Sequence, residues 1–175
     1  MDINEFKSKL GAGGARPNQF RIDLNYPTLL GVVSSSESLL VSAAALPASN
    51  VNPAIVMYRG REVKLAGERT FDPWSITIIN DTTMKLRDHF EQWSNLMNDR
   101  FNNGGVIVPN DYMADLLVHQ LDRNDETIRS YIMRGAFPLT VSEVGLRYDL
   151  NDIISEFTVT LAYQTFDIAG PKSPF

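Results

Sequence analysis

Several stretches of this chain repeat their apolar residues at every second position, and one long stretch repeats them at helical spacing. Phe20, Ile22, Leu24 and Tyr26 alternate with Arg21, Asp23 and Asn25, and Trp74, Ile76 and Ile78 alternate with Ser75 and Thr77. Phe157, Val159, Leu161 and Tyr163 alternate with Thr158, Thr160, Ala162 and Gln164. Neighbouring side chains on a strand point to opposite faces, so each run offers one apolar face to a core and one polar face to water. The exception is Leu86, Phe90, Trp93, Met97 and Phe101, which fall in a stripe down one side of a helix placed at 82–101. Asn80, Asp81 and Thr82 supply capping oxygens before it, and Asn102, Asn103, Gly104 and Gly105 stop it. A single long helix between strands argues against repeated βαβ units. It predicts a mainly β, antiparallel sandwich or small barrel with one flanking helix.

Further extended runs complete the pattern. SLLVSAAALP (38–47) reads as a strand stopped by Pro47, and residues 112–121, 127–137 and 155–166 read as three more. The polar turn Asp122 to Glu126 makes the first two of those three a hairpin. The stretch IVMYRGREVKLAG predicts a long hairpin over 48–66 with a basic tip at Arg59-Gly60-Arg61. Residues 1–17 form an amphipathic arm (Ile3, Phe6, Leu10) that stops at Gly11, Gly13, Gly14 and Pro17. Residues 167–175 are expected to be a tail. With 175 residues and no internal repeat, the expectation is one domain spanning 1–175.

Charge and composition narrow the functions. Sixteen basic residues against 21 acidic ones leave −5, the wrong sign for gripping a phosphate backbone. Without cysteine there is no disulfide, thiolate zinc site or cysteine nucleophile, which suits a reducing compartment. No run of about 18 apolar residues is present to span a membrane as a helix, so no membrane insertion is expected. The charged N-terminus lacks the basic start and apolar middle of a signal peptide, so the protein is expected to stay where it is made.

Chemistry-bearing motifs are sparse. His89 and His119 each sit inside a regular element without a second imidazole at ligand spacing. A metal site would have to be carboxylate-built, from Asp111, Asp115 and Asp122, and these read as turn and surface acids. No serine lies in a G-x-S-x-G elbow, and no strand precedes Gly11, Gly13 and Gly14 to make them a phosphate cradle. The expectation is therefore no enzyme, no metal and no cofactor. A carboxylate-dependent enzyme or a ligand-binding β-sandwich stays open, since pairing in space is invisible in sequence.

What the chain has in excess is uncovered apolar extension. The arm and the hairpin, with Ile55, Met57, Val63 and Leu65, leave edges and greasy surface that invite pairing with other chains. Trp74, Phe90, Trp93 and Met97 are expected to anchor the core. Arg69 and Asp72 are spaced to fix the turn before Trp74 by a charge-assisted hydrogen bond, stiffened by Pro73.

Six segments in order carry a resemblance: ARPNQFRIDL (15–24), LPAS (46–49), VKLAGERTFDPWSITIIND (63–81), FEQWSN (90–95), GAFPLTVSEVGLRYD (135–149) and EFTVTLAY (156–163). Together they resemble the tail tube protein of contractile-tailed bacteriophages over nearly the whole chain. The R-T-F-D-x-W block with its following N-D is the most specific part, and a longer 27–38 turn and an arm ending at Gly14 depart from the pattern. The resemblance implies a structural virion protein whose copies close into hexameric rings, their inner sheets forming one continuous barrel, and stack into a tube through which DNA passes without specific binding. It implies tail sheath, baseplate and tape-measure proteins as partners, assembly in the host cytoplasm, and a place in the virion tail. Contacts between subunits are then expected at Ile3, Phe6 and Leu10 of the arm, at Ile55, Met57, Arg59, Arg61 and Val63 of the hairpin, and at Arg69 and Asp72 beneath it. The alternative within this architecture is the tube of a phage-derived contractile injection or secretion system that moves protein.

Overall fold

The alternating runs become strands, and their registers place each apolar set on one side. In the computed structural model, which describes residues 2–10, 14–31, 37–149 and 151–169, the chain begins with helix α1 (Ile3–Leu10) and strands β1 (Phe20–Asp23), β2 (Val41–Ala44), β3 (Asn50–Tyr58), β4 (Arg61–Thr70) and β5 (Trp74–Ile79). Helices α2 (Lys85–Met97) and α3 (Pro109–Tyr112) follow, then β6 (Ala114–Leu121), β7 (Thr127–Val141), β8 (Glu156–Ala162) and β9 (Thr165–Ala169). The strand pairs are antiparallel. Trp74, Ile76 and Ile78 stand opposite Leu161, Val159 and Phe157, so two apolar alternations fall on the same face, and all six side chains are buried. A slip of one residue would turn that whole set to water.

Two sheets share one strand. The first part of β7 pairs with β6 and β9, its last residues from Phe137 pair with β8, and the order across the joined surface is β1-β6-β7-β8-β5-β2. The corner lies at Gly135, whose φ of 60° is open to glycine and strained for other residues. A Cβ there would lie 3.1 Å from the Gln164 side chain and 3.3 Å from the Met113 sulfur. The chain turns the same corner again between β8 and β9, where the Gln164 amide donates to the Arg134 carbonyl at 2.9 Å. Bends of this kind let strands pass from one layer of a sandwich to the other.

Helix α2 closes the core with Leu86, Phe90 and Trp93, all buried, while Met97 packs at its margin half-buried. Tyr26 meets Phe90 and Trp93 edge-on at 5.7 and 5.8 Å between ring centres, and the Trp93 indole N–H donates to the Tyr112 carbonyl at 2.6 Å. The N-cap is Met84, left-handed at φ 52° and without a side-chain cap, in place of the expected 80–82; of those three Asp81 still reaches the helix start, its Oδ1 accepting the Lys85 amide at 3.2 Å and its Oδ2 the Thr83 hydroxyl at 2.5 Å. These bonds hold the Asp81 carboxyl below its ordinary pKa, the Thr83 bond foremost.

Several expected boundaries are corrected. The helix covers 85–97 rather than 82–101, and Phe101 lies outside it, 92% exposed. Asn98 turns extended, and the chain folds back so that the Val106 amide donates to the Leu96 carbonyl at 3.1 Å. Gly105 permits this, since a Cβ there would sit 1.9 Å from the Met97 carbonyl oxygen. Strand β7 runs on past 137 to Val141 and carries Pro138 next to a register shift, where a missing N–H is tolerated. Residues 167–169 belong to β9 and not to a free tail, while 170–175 lie outside the described residues, as do Gly11, Gly13 and the Ser34–Ser36 turn.

Candidate assembly surface

The hairpin β3–β4 is a two-stranded sheet of its own, apart from the seven-stranded one. Every residue of both strands is exposed, including Val51, Ile55, Val56, Met57, Tyr58, Val63 and Leu65. It extends over 50–70, longer than the expected 48–66. Its turn, Arg59-Gly60, has positive φ at both residues, the geometry that matches strand twist in a two-residue loop. The Arg59 guanidinium sits 5.4 Å from the centre of the Tyr58 ring.

Register divides the expected contact residues between two faces. Ala54 pairs with Leu65, Val56 with Val63 and Tyr58 with Arg61, so those six share a face, while Ile55 with Lys64 and Met57 with Glu62 share the other. Ile55 and Met57 are therefore not brought together with Val63 and Leu65. Val56 and Tyr58, which the sequence reading passed over, complete the more apolar face; hairpin register, once applied to the sequence, marks them. Both faces of the ribbon carry apolar side chains, which water does not favour on either side.

The hairpin is tied down at its base. Asn50 donates to the Asp72 carboxylate at 2.7 Å, and Arg69 donates to the Ser49 hydroxyl at 3.2 Å. The expected Arg69–Asp72 bond is thus replaced: because β3 and β4 run antiparallel, each residue reaches across to the entering chain rather than to the other. Pro73 leads into Trp74, whose indole N–H donates to the Ala45 carbonyl at 2.6 Å, and the Tyr163 hydroxyl donates to the Ala48 carbonyl at 3.1 Å. Burial pushes the Tyr163 phenol up, and the nearby Asp72 charge adds in the same direction. Trp74 itself is buried in the core. An exposed ribbon is thereby set on a rigid footing.

The arm is a second exposed apolar element. Ile3, Phe6 and Leu10 lie on one side of α1, which buries none of its residues, and an exposed Lys9–Glu5 pair at 2.9 Å runs along it. The Gly14 amide donates to the Leu10 carbonyl at 3.1 Å.

Two of the three acids weighed for a metal site hold structural contacts. Asp115 accepts from Arg134 at 2.5 Å and from the Gly135 amide at 3.0 Å, and Arg134 also donates to Asp167 at 3.0 Å, tying β6, β7 and β9 at the corner. Both carboxylates raise the Arg134 pKa further. Asp122 accepts the amides of Asn124 and Glu126 in its turn, and Asp111 lies in α3, so the three acids do not converge. Among the described residues no group of three His, Cys, Asp or Glu could hold a metal ion. One constellation escaped the sequence reading. His119 faces Asp23 through Nε2 at 3.1 Å and Ser130 through Nδ1 at 2.7 Å. A carboxylate only accepts, so the Asp23 contact calls for the tautomer with Nε2–H donating, which leaves Nδ1 to accept from the Ser130 hydroxyl. With Arg21 at 3.3 Å from Asp23 the group laces β1, β6 and β7. Its members lie 96 and 11 residues apart in sequence, so only the strand order brings them together.

A family model described as phage tail tube protein matches residues 15–169. The chain belongs to the phage tail tube protein family. Tail tube protein gp19 of Enterobacteria phage T4 is 32% identical over 149 residues, covering 85% of this chain and 88% of that one. The tail tube protein of Serratia phage KSP90 is 26% identical over 165 residues, covering 92% and 93%. The fold also matches a chain in the six-fold symmetrised baseplate of the anti-feeding prophage, with a TM-score of 0.65 at 12% identity over 93% of this chain and 100% of that one. A chain of the extended sheath-tube complex of an extracellular contractile injection system, PVC, matches with a TM-score of 0.62 at 13% identity over 93% and 97%. This tail tube protein is a structural component of a phage tail.

Proposed function

We propose that this tail tube protein, a single domain over 1–175, is the wall subunit of a hollow tube: copies close head-to-tail into six-membered rings, and rings stack into a channel through which phage DNA passes. The observation that carries the reading is the exposed hairpin. A two-stranded ribbon is at best marginal alone in water, and this one has apolar side chains on both faces. Neighbouring copies would cover it, and the arm residues Ile3, Phe6 and Leu10 would find cover in the same way. A head-to-tail contact closes into a ring where its rotation allows, and stacking leaves an open-ended filament.

Electrostatics supports the cargo. Six copies at −5 carry −30 per ring, and a wall of that sign repels a polyanion and lets it slide. Lysines placed on the lumen side would slow genome delivery. No catalysis belongs to this reading. The partners are other copies, a sheath, a baseplate and a tape-measure protein, with assembly in the host cytoplasm. Negative-stain microscopy of the concentrated chain tests the reading: hollow tubes or six-fold rings are expected, and particles that stay single at every concentration would overturn it. The same wall could serve an injection machine of the kind the fold neighbours come from, and adjacent capsid and portal genes would decide for the phage.

A further inference from the structure

Asn103-Gly104 is the chain's one asparagine–glycine step; every other asparagine is followed by a residue that carries a side chain. It sits in the turn between α2 and α3, and both residues are exposed. Asn103 holds a left-handed backbone at φ 49°, which asparagine tolerates better than most residues.

Other groups close this turn. The Asp99 amide donates to the Gly104 carbonyl at 2.6 Å, the Asn103 amide donates to the Asp99 carbonyl at 3.0 Å, and Asp99 Oδ1 accepts the Phe101 amide at 2.8 Å. Two neighbouring groups are left over: the side-chain amide of Asn103 and the backbone N–H of Gly104 make no hydrogen bond among the described residues. Asparagine is among the thermolabile side chains, and its usual route of decay joins those two groups.

We propose that Asn103 is a site of spontaneous deamidation in the folded chain, with Gly104 supplying the attacking nitrogen and water completing the reaction. The Gly104 nitrogen gives its proton to solvent base and attacks Cγ of Asn103. The new C–N bond closes a succinimide ring, and the side-chain nitrogen takes a solvent proton and leaves as ammonia. Water then adds to one ring carbonyl, whose bond to nitrogen breaks. Opening at the side-chain carbonyl leaves aspartate; opening at the main-chain carbonyl leaves isoaspartate.

Ring closure requires the peptide between the two residues to turn until nitrogen meets Cγ. Gly104 resists this least, having no Cβ, and a Cβ built there would meet nothing within 4 Å, so the surroundings leave room for the swing. The bond lost in the swing is that of the Asp99 amide, at an exposed turn where local opening is cheap. Each event adds one negative charge across the turn from Asp99 to a chain already at −5, and the isoaspartate branch also lengthens the main chain inside the turn. The reaction needs only a folded subunit, so it does not depend on how copies assemble.

Peptide mapping of the intact chain after incubation at mildly alkaline pH tests this. Trypsin cuts after Arg100 and Arg123, releasing one peptide that holds Asn102, Asn103 and Asn110. Fragmentation locates the change, and isoaspartyl methyltransferase with a labelled methyl donor reports isoaspartate. Conversion at 103 is expected to lead that at every other asparagine by about tenfold or more, with isoaspartate among the products. The acidic species should co-elute on anion exchange with the Asn103→Asp variant. Gly104→Ala keeps the asparagine but crowds the attacking nitrogen, and is expected to slow conversion at 103 by about tenfold or more; circular dichroism of both variants checks their folding. Asn103→Gln is expected to remove the acidic species, which keeps the test open if the alanine variant does not fold. Position 103 converting no faster than the other asparagines, aspartate forming there without isoaspartate, or a folded Gly104→Ala chain converting as fast as the native one would overturn the proposal.

Discussion

The sandwich and the hairpin use the same kinds of residue to opposite ends. In the sandwich, Ile76, Ile78, Val159 and Leu161 vanish from solvent against Phe90 and Trp93; in the hairpin, Ile55, Val56, Val63 and Leu65 stay in water. Both are antiparallel, and both carry side chains that favour strands. The difference is what lies across from each face. The sandwich strands find a second sheet and a helix in their own chain, whereas the ribbon has two faces and a place in the chain for neither cover. Branched apolar residues thus specify a strand but not whose atoms will bury it.

That contrast can be broken most forcefully at the core. Trp93→Ala removes a fully buried indole and its bond to the Tyr112 carbonyl, and is expected to cost about 3–5 kcal/mol of subunit stability, read by urea unfolding. A loss close to zero would mean that the sandwich, too, depends on neighbours. Next in size is Gly135→Ala, which forces a positive φ on alanine and presses its methyl toward Gln164 and Met113. An expected cost of about 1–3 kcal/mol, measured the same way, would show that the corner belongs to the autonomous part of the fold.

Smaller and pH-dependent is the contribution of Asp81. Its folded pKa lies below its ordinary value, so its bonds add stability that is full above the ordinary value and is lost as pH falls through the lower, folded one. Asp81→Asn should therefore flatten the acid limb of the melting profile below about pH 4 and leave its shape at neutral pH alone. The smallest effect on the lone subunit is expected from Val56→Ser with Val63→Ser, within about 0.5 kcal/mol because both side chains are already in water. The same pair should abolish tubes in the microscope. A hairpin variant that destabilises the monomer as much as the core variant would erase the distinction between the two regions.

The parts legible in sequence were those governed by local period. The β5 and β8 alternations placed both strands and their buried faces, and the Leu86, Phe90, Trp93 stripe placed the helix. Its end was misread because Phe101 continues the spacing, while the stop comes from backbone contact between Gly105 and Met97, which no side-chain pattern records. Strand β9 was split, Thr165 and Phe166 being read as the end of the preceding strand and Asp167 to Ala169 as tail, because TFDIA is short and gains strand character only by lying along β7 past the corner. The exposed hairpin was half visible: its apolar residues could be picked out, but their division into two faces follows from the register. His119, Asp23 and Ser130 met only through strand order.

One strand threading both layers has a mechanical consequence. Force applied to the β1–β6 side passes into the β5–β8 side along the peptide bonds of β7, and the β8–β9 segment provides a second covalent line around the same corner. Shearing one layer over the other would mean stretching main chain, so a subunit under load should yield first in its connections and ribbon, with its two layers moving as one body.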